Sequence, residues 1–227
     1  MLRLRALVLG LASIALTFGR EGPAGAQDAG ARPVIVMSGT PTDPQKLAWI
    51  GDDARKALGD EIAAHKAGTL AAFVFVAAAG GVWDGRTAAK PGDFASIEDL
   101  ARIALQTCEF WHHVPCTIVS INGNDAVDAT GTYPVQPRLL DDHPRSFEVS
   151  RIPFISADYQ SQAAGYATMA GQRAFVVSPS DTFTWQSGKT AFDAIAAAYA
   201  ACQKQDPSQL CLLYAVNSRV VFVPGDY

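Results

Sequence analysis

Apolar positions along the chain switch between a two-residue and a 3.6-residue period, and they do so twice in the same order. Alternation from Ala71 to Val76 predicts a strand. Gly80-Gly81 turns it, and Val82-Trp83 leads back to Thr87, completing a β-hairpin. Ile97, Leu100, Ile103, Ala104 and Cys108 then recur at helical spacing. Cys116 to Asn122 is a further apolar strand, Asn122-Gly123 is a hairpin turn, and a last strand follows around Ala126-Val127. Downstream the order returns. Arg173 to Ser178 turns through Pro179-Ser180-Asp181 and runs back along Thr182 to Gln186. A helix with Phe192, Ile195, Ala196, Tyr199 and Cys202 on one face comes next. Strands at Cys211 to Asn217 and Val220 to Val223 close the series. Each unit reads β-β-α-β-β.

Residue identities repeat as well. Ala72-Phe73-Val74 and Trp83 match Ala174-Phe175-Val176 and Trp185, both at an offset of 102. The N-cap candidates Ser96 and Thr190, with Asp99 and Asp193 three residues on, approximate capping boxes. Their offset is 94, which assigns eight extra loop residues to the first copy, around Ala88 to Asp93. A strand at Pro33 to Ser38 and a helix bearing Leu47, Ile50, Ala54, Leu58 and Ile62 precede the first copy. A strand at Arg151 to Ser156 and a helix with Tyr159, Ala163, Tyr166 and Met169 precede the second. Asp128 to Arg145, with Pro134, Pro137 and Pro144, reads as the connector.

A hairpin, a small-residue helix ending in Cys, and then Cys-x-x-x-Ala-Val-Asn-x-x-Val-Val resembles repeats in exported bacterial proteins of unknown function. It is also similar to segments appended to alphaproteobacterial proteins, some labelled cyclases or stress proteins. The match runs from Phe192 to Val221 and, more weakly, from Ser96 to Val127. The resemblance implies a fold unit and brings no catalytic residues with it.

The N-terminus changes the picture of where the chain works. Arg3 and Arg5 precede an apolar run of 13 residues, Ala6 to Phe18, and Ala24-Gly25-Ala26 is a cleavage signal. Residues 1–26 therefore read as a signal peptide, with a periplasmic or secreted destination. Its removal leaves 15 basic and 21 acidic residues, a net charge of −6. A mildly acidic chain with no Lys/Arg cluster argues against nucleic acid and anionic membrane as partners. No later segment has the length of a membrane helix. The four cysteines, even in number and in an exported chain, read as disulfides. The duplication selects Cys108–Cys116 and Cys202–Cys211 among three possible connectivities.

Candidate chemistry is sparse. Cys108-x3-His112-His113-x2-Cys116 offers four zinc-ligand types. The second copy has no histidine between its cysteines, so the disulfide is the preferred reading and no metal or cofactor is assigned. Ser187-Gly188-Lys189-Thr190 resembles the tail of a phosphate loop, but Phe183 stands where the first glycine belongs. A turn glycine and a capping threonine account for it. A triad of Ser178, His143 and Asp142 can be drawn on paper, and Asp141-Asp142-His143-Pro144 reads as an exposed acidic turn. Asp52, Asp53, Glu61 and His65 read as the solvated face of one helix, on which Glu61 and His65 would meet at i,i+4. Trp83 and Trp185 pack into the core if they face the helices, the preferred reading for aromatics. Facing outward, they form a matched platform for sugar, peptide or a partner.

The expectation is an α+β protein of two repeated β-β-α-β-β units, with antiparallel strands in one continuous sheet or in two, and helices on one face. The divisions are 1–26 signal peptide, 27–128 first unit, 129–150 linker and 151–227 second unit. The function expected is a non-catalytic binding or interaction module for a protein or envelope component. Trp83, Trp185, His112 and His113 are the candidate interaction residues. A small-ligand cleft between the repeats and a hydrolase with an unrecognised site are the alternatives.

Overall fold

A computed structural model describes residues 36–224 other than 79, 128–130, 135–137, 142 and 143. Residues 1–26, expected to be a signal peptide, and the Asp142–His143 pair lie outside the described residues. The fold is α+β, with two antiparallel sheets. The first contains β1 (Met37–Pro41), β2 (Ala72–Ala77), β3 (Trp83–Ala88), β4 (Thr117–Ile121) and β5 (Asn124–Ala126), in the order β1-β5-β4-β2-β3. The second contains β6 (Gln172–Ser178), β7 (Thr182–Gly188), β8 (Leu212–Val216) and β9 (Arg219–Val220), in the order β7-β6-β8-β9. Among the described residues the strands form two sheets and do not merge into a continuous one. The helices are α1 (Asp52–Lys66), α2 (Ile97–His112), α3 (Ala157–Thr168) and α4 (Ala191–Gln205).

Helices cover both faces of each central strand, which corrects the one-face expectation. Val74 and Val76 pack with Leu100, Ala101, Ala104 and Cys108 of α2. Phe73, Phe75 and Ala77 pack with Ala54, Leu58 and Ile62 of α1. Successive strand residues point to opposite faces, so one apolar run needs two covers. The second sheet is built the same way. Ala174 and Val176 meet Ala194, Ala198 and Cys202 of α4. Phe175 and Val177 meet Ala163 and Tyr166 of α3.

The strand registers refine the internal match. Ala72 pairs with Ala88 and Ala77 with Trp83, while Gln172 pairs with Gly188 and Val177 with Phe183. Both inner strands carry a bulge at the same step, between Phe75 and Val76 and between Phe175 and Val176. The hairpins therefore correspond at an offset of 100, and the sequence match at 102 is two residues out of register. A two-residue slip keeps every side chain on its own face, so the hydrophobic pattern conceals it. The loop before the helix is seven residues in one half, 89–95, and one in the other, Lys189. The insertion is six residues and not eight.

Two further expectations are corrected. Arg151 to Ser156 is no strand. A 3-10 turn at Val149–Arg151 leads into a buried segment whose backbone is held by side chains. Gln106 accepts from Phe154 N–H (3.0 Å), Arg102 donates to Ile155 C=O (2.6 Å), and Asp99 accepts from Ala157 N–H (2.8 Å). These groups sit on the side of α2 turned from its sheet, so α2 is covered on both sides between Asp99 and Phe110 and ties the halves together. Edge pairing falls instead to Ser146, which bridges Arg219 of β9. The second correction concerns α4, whose Phe192 is 78% exposed. Its inner face is Ala194, Ala198 and Cys202, because the helix rides close on the sheet. A Cβ on Gly188 would lie 2.4 Å from the Ala194 nitrogen.

The disulfides fall within each half, Cys108–Cys116 and Cys202–Cys211, closing separations of 8 and 9 residues. The Thr190–Asp193 capping box is complete. Ser96 caps Asp99 N–H, but the Asp99 carboxylate turns to Arg102 and Ala157 and leaves that box half made.

Candidate binding groove

Strand direction decides which backbone groups β7 offers. Arg173 accepts from Asn217 N–H and donates to Asn217 Oδ1, so odd-numbered residues of β6 address the β8 side. Even-numbered residues of β6 then address β7, where their partners are also even: Val176 opposite Thr184, Ala174 opposite Gln186. The N–H and C=O groups of Phe183, Trp185 and Ser187 consequently point out of the sheet. Gln205 of α4 reaches the Phe183 carbonyl at 3.5 Å.

A groove of about 470 Å³ runs along this edge. Asp181, Thr182, Phe183, Thr184 and Trp185 form its floor, Tyr159 and Gln162 of α3 one wall and Gln205 of α4 the other. Phe183 and Trp185 stack at 5.7 Å and 9°, and both stack on Phe175. Gly165 makes room for Trp185, whose ring edge would touch a Cβ there at 3.4 Å. Tyr159 is 43% exposed and lies 6.4 Å from Phe183. Burial raises the Asp181 carboxyl to about 6, opposed by the Ser156 N–H it accepts and by Arg86.

The equivalent edge of the first sheet, β3, is covered by side chains. His112 Nε2 lies 3.3 Å from the Trp83 carbonyl, and Asp84 accepts from Gly85 N–H at 2.7 Å. Glu61 of α1 occupies the space over Gly85, its Oε1 2.6 Å from where a Cβ would stand. Burial first, and then the Asp84 charge, raises Glu61 to about 7. Burial also raises Asp84, against the pull of Arg86. Arg86 itself donates to Thr107 and to the Pro179 carbonyl of the β6–β7 turn.

The sequence candidates separate accordingly. Trp83 stacks on Phe75 at 5.2 Å and 12°, with its carbonyl met by His112. Its place in the second hairpin belongs to Phe183. Trp185 lines the groove. His113 ends α2 in the left-handed region, φ 57°. The Cys108 and Cys116 sulfurs are bonded to each other. Ser178 is the buried last residue of β6 and shares a 2.9 Å hydrogen bond with Ser180. His65 turns to the Leu70 carbonyl (3.1 Å) rather than to Glu61. Sequence reasoning placed Tyr159 on a buried helix face and gave Gln162 and Gln205 no part. Only the strand register reveals that all three flank one edge.

A second cavity, about 630 Å³, lies in the first half between Trp49, Ala77, Ala78, Gly80, Val114 and Tyr133. The Trp49 and Tyr133 rings stand 5.6 Å apart. The groove is lined by the second half alone, and this cavity by the first half with Tyr133 of the connector. Among the described residues no group of three His, Cys, Asp or Glu side chains converges as a metal site, and no helix is long and apolar enough to cross a membrane. No protein-family model matches the chain, and neither a curated protein nor a solved structure is found similar to it.

Proposed function

We propose that the chain is an exported, disulfide-stapled binding module that engages its partner along β7. The observation that supports this is the contrast between two equivalent edges. At β3, Asp84, His112 and Glu61 occupy the positions a partner would need. At β7 Gln205 meets the Phe183 carbonyl as His112 meets that of Trp83, but Thr184 and Trp185 replace Asp84 and the Gly85 that Glu61 covers, and a groove is left. Bare strand edges invite pairing, and chains that are to remain unpaired cover them with charge or side chains. The aromatic floor supplies contact area at low entropic cost, and Gln162, Gln205 and Thr184 supply polar contacts. The groove hydroxyl of Thr182 is engaged by Gln209 and Asp181 is held by Ser156, which suits binding rather than catalysis.

Amide NMR of the full chain with a panel of short peptides, oligosaccharides and fatty acids tests the site. Shifts clustered at Tyr159, Thr182–Trp185 and Gln205, and lost in Tyr159→Ala, are expected. Shifts confined to Trp49 and Tyr133 would replace this reading with a second one, a small apolar ligand in the 630 Å³ cavity, whose size and lining favour it.

A further inference from the structure

We propose that the partner enters the groove as a single extended peptide strand that hydrogen-bonds to β7 and continues the second sheet; this rests on the groove being the binding site. Three observations carry it. First, the outward groups of β7 recur at Phe183, Trp185 and Ser187, the spacing an added strand requires. Among the described residues the sheet ends there, and the one contact on that side is the 3.5 Å approach of Gln205 to the Phe183 carbonyl. Second, β7 reads Thr-Phe-Thr-Trp-Gln-Ser-Gly, seven residues with no charge and no proline. Lysine and proline are the usual guards of an edge, and neither is present.

Third, the walls select the occupant. Side chains of α3 and α4 rise on the two faces of the edge, leaving about 470 Å³ between them. A bare peptide fits such a slot. A second copy would bring its own α3 and α4 against these walls. The walls also set the side-chain preference. The α3 face presents Tyr159, Phe183 and Trp185, and the α4 face presents Thr182, Thr184 and Gln205. An added strand puts alternate residues on each face. The recognised sequence therefore alternates apolar with small polar residues over about four positions.

The test uses the full chain and the peptide acetyl-Thr-Val-Thr-Phe-Thr-Val-Thr-amide. Two N-methylated versions block alternate sets of peptide N–H groups, and chitotetraose serves as a sugar probe. The expected result is slowed hydrogen exchange at the Trp185 and Ser187 amides, by tenfold or more. One N-methyl register should weaken binding at least tenfold while the other binds like the parent. Ser187→Pro removes an outward donor that β6 does not use and should abolish binding with the fold retained, whereas Ser187→Ala should bind normally. Equal binding of both N-methyl peptides overturns the strand mode and leaves the groove. Occupancy of the groove by chitotetraose alone does the same, as does a β7-to-β7 dimer in sedimentation that Ser187→Pro dissolves. If none of the probes shifts groove amides, the proposal and the site fall together.

Discussion

Trp83 and Phe183 hold one place in two hairpins. Each stands opposite the sixth residue of its inner strand, Ala77 or Val177, and each stacks on a phenylalanine two positions earlier, Phe75 at 5.2 Å or Phe175 at 5.7 Å. The pair fixes the correspondence of the two halves, and so identifies the next outward position as Gly85 in one and Trp185 in the other. That one difference decides how each edge is used. Glycine admits the Glu61 carboxyl from α1, and tryptophan builds the floor of a groove.

Glycine replacements should separate soft from hard contacts. An alanine Cβ at Gly188 meets backbone, the Ala194 nitrogen at 2.4 Å and the Asp193 carbonyl carbon at 2.8 Å. Neither can move without undocking the start of α4. Gly188→Ala should therefore cost about 3 kcal/mol, the upper end of overpacking. The Cβ at Gly85 meets the tip of the flexible Glu61 side chain, so Gly85→Ala should cost under about 1 kcal/mol. Urea unfolding midpoints compare the two, and an equal loss would contradict the assignment.

The turn asparagines should prove more than turn formers. Asn122 and Asn217 sit at φ 52° and 55°. Their Oδ1 atoms accept the Phe73 and Arg173 N–H groups at 2.8 and 3.1 Å, in part-buried hydrogen bonds near the start of each inner strand. Alanine loses the bond and strains the backbone, while glycine loses only the bond. Asn→Ala should cost roughly 2 kcal/mol at either site and Asn→Gly about half that, from about 1 kcal/mol per hydrogen bond and 1–2 for the left-handed residue. Thermal unfolding of the four variants checks the order.

Removing a disulfide should weaken each half to a similar extent. The closed loops span 8 and 9 residues, for which the chain-entropy relation gives about 2.5 kcal/mol apiece. The paired changes Cys108→Ala with Cys116→Ala, and Cys202→Ala with Cys211→Ala, should each lower the unfolding midpoint by comparable amounts. Complete unfolding of one double variant alone would show that its disulfide carries more than loop closure.

How much of this was legible in the sequence follows from what a one-dimensional pattern can record. Periodicity located both hairpins, both cysteine-bearing helices and the cysteine pairing, because each is fixed by spacing within about 50 residues. It missed the two-residue slip, since Phe73 and Phe175 share a face whichever register holds. It misread Arg151 to Ser156, whose apolar residues are buried but whose backbone partners, Asp99, Arg102 and Gln106, lie some 50 positions away on a helix. It mistook the inner face of α4 because bulky Phe192 and Tyr199 outweigh alanines in any hydrophobic count. The groove was hidden for the same reason as the register: Tyr159, Trp185 and Gln205 meet only once β7 is known to be an edge.

The Glu61 carboxyl should make stability depend on pH in a direction opposite to that of a salt-bridged acid. Burial over Gly85 and the neighbouring Asp84 raise it to about 7, from 4.5 when exposed. Between those values the folded chain holds a proton that the unfolded chain has released, so stability falls as pH rises through that window. Below about 4.5 both states are protonated and the penalty is absent; above about 7 it is complete. Glu61→Gln removes the ionisation and keeps the shape. The variant should match the native chain near pH 5 and exceed it near pH 8, with the gap opening between. Urea unfolding across this range checks the statement. A Glu61→Gln effect that is the same at the two ends would mean that Glu61 is already ionised in the folded chain.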